Sequence, residues 1–142
     1  MRYLGLDLGN RTLGVAVSDA MGIIATGVET YRFKEKDLQN ALNYVKMVVA
    51  DRQIDKVVLG LPKNMDGTEG SRTDVIRAFA ALVSEYTDVP IDFYDERMTT
   101  MQAYRFLDGT ATFGKKRKSA IDTLSAEIIL QNYLDRERNL KK

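Results

Sequence analysis

A chain of 142 residues with 44% hydrophobic content has apolar material for one substantial core and too little length for two, so residues 1–142 read as a single domain. The absence of cysteine and histidine excludes disulfides, thiolate metal sites, the Ser-His-Asp triad, histidine general bases and conventional zinc sites. With 21 Lys and Arg against 20 Asp and Glu, net charge says nothing about nucleic acid, and a catalyst here must work with carboxylates, lysine or a hard cation.

Taken in order, residues 3–8 and 13–18 are two short apolar strands joined by Gly9-Asn10-Arg11-Thr12, which makes a hairpin. Asp7 stands inside the first strand. A carboxylate there loses hydration and needs a cation or donors in exchange, unless the strand is an edge and the side chain faces solvent. Both readings are open on this stretch alone. In a central strand, Gly5 and Gly9 would keep the face beside Asp7 low enough for a metal ion or a phosphate backbone to approach. Asp19-Ala20-Met21-Gly22 has turn character, and residues 23–31 read as a third strand interrupted by Gly27, completing an antiparallel meander.

Residues 35–51 change period, with Leu38, Ala41, Leu42, Val45, Val48 and Val49 on one helical stripe. Residues 55–61 form a short apolar run ended by Pro62, the pattern of a strand buried on both faces. A polar loop follows over 63–72, and Ser71 is placed to cap a helix that runs to Tyr86. Residues 91–94 form a further strand, with Asp95-Glu96-Arg97 at its C-terminal end. A helix beginning at Thr99 or Thr100 and ended by Gly109, then a basic connection over 110–118, precede a last helix that starts at Ser119 or Asp122 and runs to about Glu137. That helix is apolar enough to be largely buried. No apolar run reaches the roughly 18 residues of a membrane span, and the first residues pass directly into a strand, so a cytoplasmic protein without membrane contact is expected.

This element order implies an α/β fold, a mixed sheet with helices on both faces; the strand order 3-2-1-4-5 is compatible with it, though periodicity alone does not fix that order. In such a sheet Asp7 and Glu96 project toward one end, and the final helix can bring Asp122 over them. Three carboxylates with open positions suit magnesium or manganese, and two such ions roughly 3.5–4 Å apart support phosphodiester hydrolysis without histidine. The alternatives are ordinary ones: Glu96 pairs with Arg97 or Arg105 on the surface, and Asp122 complements the positive end of its helix. Lys115-Lys116-Arg117-Lys118 and the basic tail after residue 135 are either a phosphate-binding surface or solvated charge. Tyr3, Tyr94, Tyr104 and Phe113 would stack on bases if exposed and otherwise belong to the core.

Four stretches, in this order and spacing, resemble the YqgF family, described both as Holliday junction resolvases and as nucleases of pre-16S ribosomal RNA. They are Gly5-Leu6-Asp7-Leu8-Gly9 with Gly14-Val15-Ala16-Val17-Ser18-Asp19; residues 58–68, ending Leu61-Pro62-Lys63-Asn64-Met65-Asp66-Gly67-Thr68; Asp95-Glu96-Arg97-Met98-Thr99-Thr100; and Lys118-Ser119-Ala120-Ile121-Asp122-Thr123-Leu124-Ser125-Ala126. The resemblance implies a ribonuclease H-like fold and a nuclease dependent on Mg2+ or Mn2+ held by Asp7, Glu96 and Asp122. It also implies substrate contacts from Asn64, Asp66 and Thr68, which otherwise hold the turns of their loop, and from Arg97, which otherwise forms a surface ion pair; in such a nuclease residues 115–118 would hold the backbone. The implied partner is nucleic acid: precursor ribosomal RNA, within a ribosomal precursor particle, or a four-way DNA junction cut by a homodimer. A binding module that keeps the fold without catalysis is the third possibility.

Overall fold

The computed structural model describes residues 1–62, 70–95 and 114–140, the last segment as backbone alone up to residue 120. The hairpin forms where the apolar alternation places it. Strand β1 (Tyr3–Leu8) pairs antiparallel with β2 (Thr12–Ser18), and the Gly9 N–H donates to the Thr12 carbonyl at 2.7 Å to close the turn. Strand β3 (Ala25–Arg32) begins two residues later than expected, because the Asp19 carboxylate accepts from the Ile23 and Ile24 N–H groups at 2.8 and 3.0 Å and keeps them in the turn. Those backbone donors, Ile24 first, hold the Asp19 carboxyl below the usual carboxylate range.

Helix α1 (Leu38–Asp51) also starts late, since Lys36 adopts a left-handed conformation with φ of 68° that a helix cannot include. Strand β4 (Lys56–Leu61) and helix α2 (Ser71–Tyr86) follow. Gly70 occupies the capping position of α2 in extended conformation, so Ser71 is the first helical residue and makes no capping bond. Strand β5 (Ile91–Asp95) completes the sheet, and α3 (Gly114–Leu140) is the last helix. It starts five residues before Ser119 and takes in most of the basic stretch expected as a connection. Lysine and arginine are good helix formers, and the described sequence after Gly114 contains no breaker.

The five strands lie in the order β3-β2-β1-β4-β5, with β1 parallel to β4 and β4 parallel to β5. Strand β1 is therefore central, which removes the solvent-facing edge reading of Asp7. Leu4, Leu6 and Leu8 point to one face, where they join residues of α1 and α2 such as Val45, Val48, Ile76 and Phe79 in the larger core. Tyr3, Ala16 and Val58 point to the other face, which α3 covers with Ala126, Ile129, Leu130, Tyr133 and Leu134. Each face buries one tyrosine hydroxyl on an acid: Tyr44 donates to Glu29 on the first, and Tyr133 donates to Asp92 at 2.9 Å on the second. The α3 flank also reaches the outer strand, where Glu127 Oε1 accepts from the Gly27 N–H and Gln131 Oε1 from the Ala25 N–H, each at 2.9 Å. No described helix is long and apolar enough to cross a membrane.

Candidate active site

Strand alternation decides where Asp7 looks. Tyr3 and Gly5 share its parity and face α3, while the flanking Leu6 and Leu8 are buried under α1 and α2. Asp7 is half-buried and lies directly opposite Gly14 in the β1–β2 register. A Cβ built on Gly14 would stand 2.1 Å from the Asp122 carbonyl oxygen, so the helix backbone occupies the space a side chain would take. Only glycine permits that approach, and it sets Asp122 of α3 over the strand pair that carries Asp7. Asp122 is half-buried, with its Oδ2 atom enclosed.

Gly5 performs a different task from the one its position suggests. Its missing Cβ leaves room for Leu130 and Ala126 of α3, at 2.7 and 3.2 Å from where it would stand, so a helix fills that face instead of a ligand. Gly9 serves the turn, where its Cβ would meet Thr12 Oγ1. The glycine that shapes the site is Gly14, which reads in sequence as one more small residue in an apolar strand.

Parallel pairing brings the C-terminal ends of three strands to one edge of the sheet. Leu6 is level with Leu59, and Leu61 with Asp95, so residues 7–8, 61–62 and 95 share that edge. Glu96 follows directly on Asp95 but lies outside the described residues, as do Asn64, Asp66, Thr68, Arg97, Tyr104 and Phe113. Two polar side chains tie the edge together. Thr73, fully buried at the start of α2, donates its hydroxyl to the Pro62 carbonyl at 2.5 Å. Arg72 donates to the Leu8 carbonyl at 2.6 Å and to Asn10 Oδ1 at 2.9 Å, pinning the end of β1 and the turn after it to α2. Nothing in the sequence separates Arg72 from a solvated arginine; its role comes from the sheet order.

Helix α3 runs antiparallel to β1, from Asp122 beside Gly14 to Ala126 and Leu130 beside Gly5 and Tyr133 against Tyr3. Residues 115–118 therefore lie beyond the edge, on the same side as Asp7. With a rise of 1.5 Å per residue they stand roughly 6–10 Å past Asp122 along the helix axis. The basic block thus extends the helix that carries Asp122.

The aromatic expectations divide. Tyr3 is buried against Tyr133, with ring centroids 6.0 Å apart, and belongs to the core. Tyr94 is half-buried beneath the Arg136 guanidinium, which stacks over it at 5.2 Å and over Tyr133 at 5.1 Å.

Among the described residues no three acidic side chains converge, and what the packing brings together is the Asp122 backbone and Gly14, the cross-strand partner of Asp7. An oxygen-only donor set at a sheet edge, with one enclosed carboxylate oxygen, fits a hard divalent cation and no softer metal. Two described clefts lie away from this edge: one of about 400 Å³ is lined by Val28, Glu29, Tyr44 and Met47, and one of about 260 Å³ by Arg2, Ser18 and Gln53.

The family profile described as RuvX, Holliday junction resolvase, matches residues 1–136. A relative from Leuconostoc citreum is 48% identical over 143 residues, covering all of both chains, and one from Streptococcus thermophilus is 45% identical over 96% of this chain and 99% of its own. Both bear the provisional name pre-16S rRNA nuclease. Among solved structures, Thermus thermophilus RuvC bound to a Holliday junction superposes with a TM-score of 0.61 at 14% identity, covering 98% of this chain and 96% of that one. The Fowlpox virus resolvase in complex with junction DNA gives 0.59 at 12% identity, covering 96% and 99%. At these identities the two structures report a shared fold.

Proposed function

Because this chain belongs to the YqgF/RuvX family, we propose that it is a divalent-cation-dependent endonuclease that trims the 5′ end of precursor 16S ribosomal RNA. The observation that carries the proposal is the placement of Asp122 over Gly14, the direct cross-strand partner of Asp7. Two acidic residues set against the same face of the sheet at its central strand, where apolar side chains would pack better, need a reason of this kind.

Asp7 and Asp122, joined by Glu96, would hold Mg2+ or Mn2+. When bound, that cation neutralises phosphate charge and acidifies water for attack on phosphorus. Asp7 and Asp122 fix where the charge sits, because neither the central strand nor the helix seated on Gly14 has room to shift. Arg72 holds the β1 terminus in register with α2 and so keeps Asp7 at the edge. The α3 extension at 115–118, with Arg97 and the 64–68 loop, would grip the backbone on either side of the scissile phosphate. Each lysine contact to a single strand contributes about 0.7 to the slope of log affinity against log salt.

The test is cleavage of a precursor 16S 5′-leader fragment and a four-way DNA junction, each with Mg2+ or Mn2+, beside an Asp7→Asn control. RNA cutting that disappears in the control supports the proposal. The second reading, junction resolution, rests on the family description and needs two sites related by a twofold axis. Paired symmetric cuts by a protein that doubles its solution mass on the junction would replace the first reading with that one. Tight RNA binding without cleavage at any metal concentration would reduce the chain to a binding module, to be sought on the ribosomal precursor particle.

A further inference from the structure

Helix α3 carries a polar atom that the packing does not explain. Ser125 is 1% exposed, and its Oγ has no hydrogen-bond partner among the described residues. A serine within a helix ordinarily returns its hydroxyl to the carbonyl four residues earlier, and a buried hydroxyl left unsatisfied is destabilising relative to alanine. Alanine would fit the surroundings as well: the next residue, Ala126, is fully buried against the sheet.

Register shows where the hydroxyl lies. On α3 the flank of Thr123, Glu127 and Gln131 faces β3, through Thr30, Gly27 and Ala25. Ser125 follows Asp122 by three residues, one turn along, and occupies the opposite flank, the one whose continuation at Tyr133 and Arg136 meets Asp92 and Tyr94 of β5. It therefore stands between Asp122 and the strand that ends immediately before Glu96.

We propose that Ser125 is a positioning residue for the cation site: its hydroxyl donates to a carboxylate oxygen of that site when the cation is held, and so orients the ligand. The inference rests on the reading of Asp7 and Asp122 as cation ligands. Outer groups of this kind typically change metal affinity by roughly 10- to 100-fold when removed. It also gives the orphaned hydroxyl a sign that a packing role lacks, since removing it should improve the metal-free fold while impairing metal binding.

The experiment titrates MnCl2 into the wild-type chain, Ser125→Ala, Ser125→Cys and Asp7→Asn, following free Mn2+ by electron paramagnetic resonance, with thermal unfolding of each metal-free protein alongside. Expected are a midpoint for Ser125→Ala at or above wild type and Mn2+ affinity weaker by roughly 10- to 100-fold. Ser125→Cys, close in size and a poor donor, should weaken binding in the same direction. If Ser125→Ala binds Mn2+ as wild type does while Asp7→Asn does not, the inference fails and the cation site stands. If wild type itself binds no Mn2+, the site and the inference fall together.

Discussion

The two faces of one sheet are built on opposite terms, and β1 contributes to both. On the α1/α2 side, Leu4, Leu6 and Leu8 meet helices through large apolar side chains at no more than 5% exposure. On the α3 side the same strand presents Tyr3, Gly5 and Asp7, and the helix comes down onto backbone, with the Asp122 carbonyl in the space of a Gly14 side chain. The first face gains stability from side-chain volume. The second gives up volume so that the α3 backbone at Asp122 can seat on the strand pair that carries Asp7.

Substitutions at adjacent residues should separate the two. Leu6→Ala removes a fully buried side chain from the first face and should cost about 2–5 kcal/mol in denaturant unfolding. Its kcat per folded molecule should stay near wild type. Asp7→Asn keeps the shape and should leave the unfolding midpoint unchanged or raised, while kcat falls roughly 10²–10³-fold, the loss expected for one electrostatic group at a reacting centre. If Leu6→Ala lost kcat as Asp7→Asn does, the division between faces would be wrong.

Gly14→Ala tests where the division ends. A methyl group driven into the Asp122 carbonyl should cost about 1–3 kcal/mol and also lower kcat, because α3 must lift from the sheet and take Asp122 with it. Stability lost with activity intact would show that the seating of α3 does not set the site.

The smallest effect concerns alkaline pH. Burial, and then the bond to Asp92, raise the Tyr133 hydroxyl above its ordinary value of 10.0, and burial with Glu29 does the same for Tyr44 on the other face. A group raised in the folded state contributes stability that is complete below the unfolded pKa and is lost as pH rises through the folded one. Stability should therefore decline above pH 10, and Tyr133→Phe should flatten that decline while removing about 1 kcal/mol at neutral pH. An unchanged alkaline slope in thermal melts would place the effect on the other raised hydroxyls, Tyr44 and Tyr3.

Much of this was legible in the sequence, for reasons that differ by element. Three strands joined by short turns and then two strand-helix-strand crossovers gave the mixed sheet and left 3-2-1-4-5 as a compatible order, which the strand pairing fixes. The span of α2 follows from a polar loop before Ser71 and Pro90 after Tyr86. The start of α3 was hidden because a run of like charges after a glycine resembles a loop, although each of those residues favours a helix. Asp7 was conspicuous as a charge in an apolar strand, and Asp122 was drawn to it by topology. Gly14 and Arg72 were silent, since their roles depend on what lies across the sheet: a helix carbonyl for one, the end of a neighbouring strand for the other. Glu96, Arg97 and the 64–68 loop lie outside the described residues.

The side chains of Glu127 and Gln131 have a consequence for how copies of this protein meet. An outer strand with open N–H groups is a template for another chain, and sheets that grow by such pairing give fibres or strand-swapped assemblies. At Ala25 and Gly27 those donors are already engaged by α3. Sheet extension along that part of β3 is closed, so a homodimer of this chain would join through other surfaces, and the concentrated protein should resist β-type aggregation from this side.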